Sequence, residues 1–138
     1  MFSLYLIPAN LFIEKTKLKK TLVIGASTNP NRYAYMAINR LLDHKFSVTA
    51  IGLQSGVIRG VAIETEKIPF KGIDTVTLYI SPKHQPEYYD YICSLKPKRV
   101  IFNPGTENPE FYKILQENNI AVEVACTLVL LSTNQYKS

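Results

Sequence analysis

Residues 21–32, Thr-Leu-Val-Ile-Gly-Ala-Ser-Thr-Asn-Pro-Asn-Arg, constrain the fold more than any other stretch. Residues 21–24 form a β-branched and aliphatic run of the kind that fully buried parallel strands contain. The three residues that follow, Gly25, Ala26 and Ser27, have little side-chain bulk, which suits a tight backbone turn. Residues 29–31 are turn and helix-cap types, and a helical pattern starts at Tyr33. The segment therefore predicts a strand, a tight turn and a helix start.

A strand, a small-residue turn and a helix start commonly form a phosphate-binding device. The first amides of a helix have no partner inside the helix, and the helix dipole places partial positive charge at the same end. Arg32 follows the turn and could contact a phosphate with a permanently charged, bidentate group. We therefore predict that this segment forms the floor of a nucleotide-type site.

Composition limits the class of protein and of partner. The 138 residues fit one domain with a sizeable core, and the formal net charge is +5. Residues 1–20 contain four lysines and one glutamate, so they carry +3 and the rest of the chain only +2. This modest charge favours a small anionic ligand, and no basic stripe with interleaved aromatics indicates nucleic acid. Cys93 and Cys126 alone make no disulfide framework, which favours a reducing cytoplasm.

The first 17 residues are interpreted as an N-terminal extension of a domain at residues 18–136. Residues 1–13 are apolar but contain Pro8 and Asn10, and they are too short to span a bilayer. They lack the preceding basic residue and the cleavage site of a secretory signal. We expect the extension to pack on the domain or on an oligomer partner such as a second copy in a homodimer. A sharper hypothesis is that the natural product begins near Leu18.

Strand-like and helix-like segments alternate along the rest of the chain. The predicted strands are residues 21–24, 47–51, 74–80, 99–102 and 120–125. The predicted helices are residues 33–42, 86–95, 109–117 and 127–131, and residues 52–60 are expected to form a loop that ends in a tight turn. This alternation predicts an α/β single domain, with a doubly wound parallel sheet in a three-layer α/β/α arrangement.

Ligands in such sheets bind beyond the carboxyl ends of the strands, at the point where the strand order reverses. Three small-residue or Pro-rich turns are predicted at those ends, at residues 25–27, 81–82 and 103–106. Each turn alone is a weak signal. Their agreement predicts one binding crevice that all three border.

Four motifs in this order resemble those of the small single-domain CoA-binding proteins, which are similar to the CoA-binding domain of the succinyl-CoA synthetase α subunit. The motifs are the segment at 22–32, Tyr-Ile-Ser-Pro at 79–82, Asn-Pro-Gly-Thr-Glu-Asn at 103–108 and Glu-Val-Ala-Cys-Thr at 123–127. The likeness covers residues 18–136. It implies a Rossmann-like domain that binds coenzyme A or an acyl-CoA.

The resemblance also implies which residues of this chain hold the cofactor. The first turn would hold the phosphates through Gly25, Ala26, Ser27, Asn31 and Arg32. The nucleotide and pantetheine would be enclosed by Tyr33, Gly52, Ser81, Pro82, Asn103, Pro104, Gly105 and Thr106.

The chain departs from the family pattern in two places. Its second strand ends in Ile-Gly-Leu at 51–53, where the family often has an Asn-Pro turn, so the contacts at that wall are open. It also lacks the separate domain in which the larger synthetases phosphorylate a histidine, so no ligase activity is carried over.

The sequence also leaves open other interpretations of the ligand and of the activity. No Gly-x-Gly-x-x-Gly follows the first strand and no acidic residue ends the second, which argues against NAD, whereas Gln54 and Arg59 leave NADP open. Cys126 could form a mixed disulfide with the CoA thiol, although packing is its default role. No catalytic residue and no metal site are predicted. The alternatives to a binding module are an NADP-binding or acyl-transferring enzyme and a subunit of a larger CoA ligase.

The two histidines are most simply structural. His44 closes the predicted helix 33–42, so we interpret it as a helix cap. His84 follows the turn at 81–82, where a solvated or capping role is favoured over a phosphate contact. Glu107 and Glu123 have no partner base, and they do not constitute an acid/base pair.

Overall fold

A computed structural model describes residues 20–137, so the predicted N-terminal extension lies outside the described residues. A seven-stranded sheet runs through the domain in the order β3-β4-β2-β1-β5-β6-β7. The strands are β1 Lys20–Ala26, β2 Ser47–Gly52, β3 Gly56–Ile58, β4 Val61–Glu64, β5 Ile73–Leu78, β6 Arg99–Phe102 and β7 Ala121–Val124. Every pair is parallel except β3 with β4, which form an antiparallel hairpin.

Residues 20–137 contain four α-helices and two 3₁₀ turns, and all but the last helix, which follows β7, lie between strands. The α-helices are α1 Tyr33–Asp43, α2 Tyr89–Leu95, α3 Pro109–Glu117 and α4 Thr127–Ser132. The 3₁₀ turns are Pro82–His84 and Pro86–Tyr88, and both lie between β5 and α2.

The sheet separates two hydrophobic cores. On one face, Ile92 of α2 and Phe111 and Leu115 of α3 pack against Leu22 and Val76. On the other face, α1 and α4 cover the sheet, where Ile38 and Leu131 lie in the same cluster as Val23. Helices on both faces of a mostly parallel sheet confirm the predicted three-layer, doubly wound α/β domain.

The strand order reverses at β1. This strand pairs with β2 on one side and with β5 on the other, and both pairings are parallel. The loops after β1 and β5 therefore leave the sheet toward opposite faces and open a crevice between them. This topology brings the turn at residues 25–27 next to the turn at residues 79–82.

Several predicted boundaries were wrong. Residues 52–60 are not a loop, because they contain β3 and the turn into the β3–β4 hairpin. The predicted helix 86–95 begins with a 3₁₀ turn and is α-helical only from Tyr89, and β5 ends at Leu78 rather than at residue 80. In α1 the buried side chains are Ala34, Ala37, Ile38 and Leu41, which form its face toward the sheet.

The helix ends show two capping outcomes. Asn108 caps α3, because its side-chain oxygen accepts a hydrogen bond from the Phe111 amide at 3.3 Å. His44 is the C-cap of α1, and its Nδ1 lies 2.8 Å from the Arg40 carbonyl oxygen. The left-handed position that closes α1 belongs to the next residue, Lys45, with φ of +69°.

The segment after α4 packs back on the sheet. Tyr136 is buried, its ring meets Phe46 edge-on at a centroid distance of 4.9 Å, and the Arg99 guanidinium lies 4.6 Å from the same ring centroid. Its hydroxyl group forms a hydrogen bond with Thr21. These contacts fix the last described turn of the chain near the start of β1.

Candidate functional site

The predicted strand 21–24 extends to Ala26, and this end of β1, where the register with β2 shifts between Ile24 and Ala26, requires glycine at position 25. Gly25 has φ of +97°, a conformation that residues with a Cβ rarely adopt, and an added Cβ would lie 2.6 Å from the Tyr79 carbonyl oxygen. The Tyr79 amide also donates to the Ile24 carbonyl oxygen at 2.8 Å. The first turn and the end of β5 are therefore held in direct backbone contact, without a side chain between them.

Gly52 has the same function at the end of β2. A Cβ at this position would lie 2.2 Å from the Ala26 carbonyl oxygen, so β2 and the first turn also meet backbone to backbone. Thus Gly52 contributes to the site through this close approach, and it does not line the open groove.

The loop from Ser27 to Arg32 is ordered by its own side chains. The Asn29 amide donates to Ser27 Oγ at 3.0 Å, and the Asn31 amide donates to Asn29 Oδ1 at 2.9 Å. The Arg32 amide donates to the Asn29 carbonyl oxygen at 3.0 Å. Local bonds of this kind stabilise a turn before a helix.

No side chain caps the start of α1. The residues at 29–31 were expected to supply the cap, but the N-cap is Arg32, which makes no side-chain capping bond. The amides of the first turn therefore remain available, and the helix dipole adds partial positive charge beside the glycine turn. An anion is the ligand that this end of α1 favours.

An open groove lies above the first turn and runs between the loops after β1, β2, β5 and β6. Its volume is about 580 Å³. The lining residues are Gly25, Ala26, Ser27, Thr28, Arg32, Tyr33, Ala34, Leu53, Gln54, Tyr79, Ile80, Ser81, Pro104, Gly105 and Thr106. Arg32 is the one charged residue among them, and it forms no ion pair or side-chain hydrogen bond with any residue of the described range 20–137.

Nine of the thirteen predicted site residues line this groove. The other four are Asn31, Gly52, Pro82 and Asn103. Asn31 is exposed on the loop before α1, and Pro82 begins the 3₁₀ turn after β5. Asn31 and Pro82 are next in sequence to residues that line the groove, but their own side chains are not part of its wall.

Asn103 lies beneath the groove and connects three elements. Its Nδ2 donates to Thr77 Oγ1 at 2.7 Å and to the Leu78 carbonyl oxygen at 2.8 Å. Its Oδ1 accepts from the Thr127 amide at 2.9 Å, and the side chain is buried. The residue therefore joins the end of β5, the loop after β6 and the start of α4.

The groove also contains residues that were not among the thirteen predicted site residues. Leu53 and Gln54 follow β2, and Tyr79 and Ile80 follow β5. The rule that ligands lie at strand carboxyl ends could have identified both pairs. Thr28 and Ala34 carried no such signal.

Two exposed apolar side chains stand at the rim. Leu53 is 93% exposed and Tyr33 is 68% exposed, although both are large hydrophobic residues. Tyr79 forms part of the wall, and burial raises the pKa of its phenol above the ordinary value. The phenol is therefore neutral at physiological pH and does not repel an anion in the groove.

Other charged and reactive groups lie outside the groove wall. The guanidinium of Arg59 forms an ion pair of 2.8 Å with Asp43 and contacts Asn39, at the far end of α1. Glu107 Oε1 accepts from the Gly105 amide at 2.8 Å. Cys126 is half-buried at the start of α4, and burial raises the pKa of the Cys93 thiol.

Comparison with known proteins places the chain among similar sequences and folds. A family model described as a CoA binding domain matches residues 19–132. A crystal structure of an uncharacterized protein is 51% identical, with a TM-score of 0.83 over 86% of this chain and 98% of that one. No curated protein matches.

More distant structures share the fold. A hypothetical protein from Pyrococcus horikoshii OT3 is 28% identical, with a TM-score of 0.75 over 83% of this chain and 82% of its own. An acetyl-coenzyme A synthetase from Ca. Korarchaeum cryptofilum, in complex with phosphate and ADP, is 16% identical with a TM-score of 0.64. This chain covers only 25% of that synthetase. None of the helices between residues 20 and 137 has the length and apolar character needed to cross a membrane.

Proposed function

We propose, because this chain belongs to the CoA binding domain family, that it binds coenzyme A or an acyl-CoA in the groove at the strand carboxyl ends. The cofactor's pyrophosphate lies on the turn at residues 25–27 and on the first amides of α1. The protein is a cytoplasmic binding module, which holds the cofactor by backbone amides and one guanidinium.

One observation carries this proposal. The glycine turn and the uncapped start of α1 face the same groove, whose lining includes Arg32 and no carboxylate. Unsatisfied amides, a helix N-terminus and an arginine all favour an anion, and together they suit a pyrophosphate. Coenzyme A also carries a ribose 3′-phosphate, which a carboxylate near the sugar would repel.

The far wall suits the uncharged arm of the cofactor. The loops after β5 and β6 contribute Ile80, Ser81, Pro104, Gly105 and Thr106. The Gly105 and Thr106 amides already donate to Glu107 and Asn103, so this surface offers apolar side chains and the exposed Ser81 to the methylenes and amide groups of pantetheine.

The geometry supports NADP less well. A protein that selects NADP usually places an arginine near the end of the second strand for the 2′-phosphate. Gln54 occupies that part of the groove, and the nearest candidate, Arg59, is paired with Asp43 at the other end of α1. The lining residues offer hydroxyl, amide and guanidinium groups, which are suited to holding a ligand, so we propose binding without chemistry.

Arg32→Ala is expected to weaken CoA binding about 10- to 100-fold, because a charge-assisted contact with phosphate contributes roughly 1.5–3 kcal/mol. Isothermal titration calorimetry with CoA measures this loss. Arg40→Ala is the matched control, since Arg40 is an exposed arginine in the last turn of the same helix. Equal affinity of Arg32→Ala and the parent protein would remove Arg32 from the site.

A further inference from the structure

A fully buried glutamine lies behind the far wall of the groove. Gln85 has no exposed surface, and its side-chain amide donates both hydrogens to backbone carbonyl groups. Nε2 lies 3.0 Å from the Ile80 oxygen and 2.7 Å from the Thr106 oxygen. The two acceptors belong to different loops, one after β5 and one after β6.

The side-chain oxygen of Gln85 also has a hydrogen-bond partner. Its Oε1 accepts from Asn108 Nδ2 at 2.9 Å, and the same Nδ2 donates to the Tyr89 hydroxyl at 2.8 Å. The Tyr89 ring stacks on Phe111 with centroids 4.3 Å apart. The glutamine is therefore fixed by a buried network that reaches α2 and the start of α3.

The two carbonyl groups belong to residues that face the proposed ligand. Ile80 and Thr106 both line the groove, and the residues next to them, Ser81 and Gly105, do so as well. A group that bonds both carbonyls at once fixes the distance between the two loops. Only a side chain with two donor hydrogens on one nitrogen can make this pair of bonds from Gln85's position.

We propose that Gln85 is a positioning residue, which presets the width of the groove where the uncharged arm of the cofactor lies. This inference rests on the proposed function. Gln85 acts through Ile80 and Thr106 and does not touch the ligand, because it is buried behind them. The phosphate end of the groove is formed by the turn at residues 25–27 and the start of α1, and Gln85 makes none of its side-chain hydrogen bonds to those residues.

The test compares two ligands on one variant. Gln85→Met keeps the length of the side chain but removes both donors, and Gln116→Met is the control at an exposed position of α3. Calorimetry with CoA and with ADP, which has the pyrophosphate and adenosine but no pantetheine, separates the two ends of the groove. We expect CoA affinity to fall about tenfold, whereas ADP affinity changes by less than about twofold.

Gln85→Glu supplies a second readout that a loss of packing would not produce. When ionised, the carboxylate faces two carbonyl oxygens and has no donor; when protonated, it regains one. Relative to the parent protein at the same pH, CoA affinity of Gln85→Glu is therefore expected to recover as the pH is lowered from about 8.5 to about 5.5.

The outcomes distinguish the inference from the proposed function. Equal losses for CoA and ADP in Gln85→Met, or a relative affinity of Gln85→Glu that does not change with pH, would overturn the role of Gln85 alone. Absence of CoA binding by the parent protein would overturn the proposed function, and the inference with it.

Discussion

Gly25→Ala is expected to abolish CoA binding and to lower the free energy of unfolding by about 2–5 kcal/mol. Gly25 has φ of +97°, and a Cβ would lie 2.6 Å from the Tyr79 oxygen and 2.8 Å from the Tyr79 carbonyl carbon. Both atoms are backbone, so neither can rotate away. The first turn must therefore move, and it carries the amides that we propose to hold the pyrophosphate.

Gly60→Ala is the matched control for this change. Gly60 has φ of +87°, but no atom lies within 4 Å of the position of its Cβ, and it lies in the β3–β4 turn away from the groove. Gly60→Ala is therefore expected to lower the free energy of unfolding only by the conformational penalty of a Cβ at positive φ, about 1–2 kcal/mol. Urea unfolding and CoA titration of both variants make the comparison. Normal CoA affinity in a folded Gly25→Ala variant would contradict the proposed phosphate site.

Asn103→Ala is expected to lower the free energy of unfolding by about 3 kcal/mol, because its hydrogen bonds to three buried groups are lost at roughly 1 kcal/mol each. The groups are Thr77 Oγ1, the Leu78 carbonyl oxygen and the Thr127 amide. The loss is measured from the urea midpoint at unchanged slope.

Asn118→Ala is the control for this substitution. Asn118 is exposed at the end of α3 and makes one local bond, from Nδ2 to the Ile114 carbonyl oxygen at 2.8 Å. Its removal should cost well under about 1 kcal/mol. If Asn103→Ala were as stable as Asn118→Ala, then the loop after β6 would not depend on this side chain, and Asn103 would be better assigned to the ligand.

The layered fold could be predicted from the sequence because its signals are local. Residues 21–24 and 99–102 are short apolar runs, and the helices between them have the expected spacing, so alternation alone predicts a parallel sheet. The β3–β4 hairpin was missed because its strands have only three and four residues. One of them is an edge strand with an exposed Val57, so it lacks the continuous apolar pattern of a buried strand.

The candidate site could be predicted in outline for the same reason. Chain topology alone brings the turns after parallel strands to one edge, so the small residues at 25–27 and at 104–106 meet there. The role of single side chains could not be predicted. Asn103 directly follows a strand, where a ligand contact is expected, yet its side chain forms hydrogen bonds toward the protein interior. Nothing in the sequence indicates that Thr77 and Thr127 are its partners.

Gln85 is a second residue whose role could not be predicted from the sequence. A glutamine between His84 and Pro86 has the composition of an exposed turn, but the structure buries it completely. Its partners are two backbone carbonyls and Asn108, which lies 23 residues away along the chain. Backbone acceptors have no residue-type signature, so such a contact is found only when the loops are seen together.

The central claim is that the groove holds the pyrophosphate of coenzyme A without a carboxylate at the ribose. Calorimetric titration of the parent protein with CoA, dephospho-CoA, NADP and ATP tests it most directly. The account predicts one CoA per chain, with NADP, which lacks the pantetheine arm, bound at least about tenfold more weakly than CoA. Dephospho-CoA keeps the pyrophosphate and the arm, so its affinity is expected to lie closer to that of CoA than the affinity of NADP does. Tighter binding of NADP than of CoA, or no heat of binding with CoA, would contradict it.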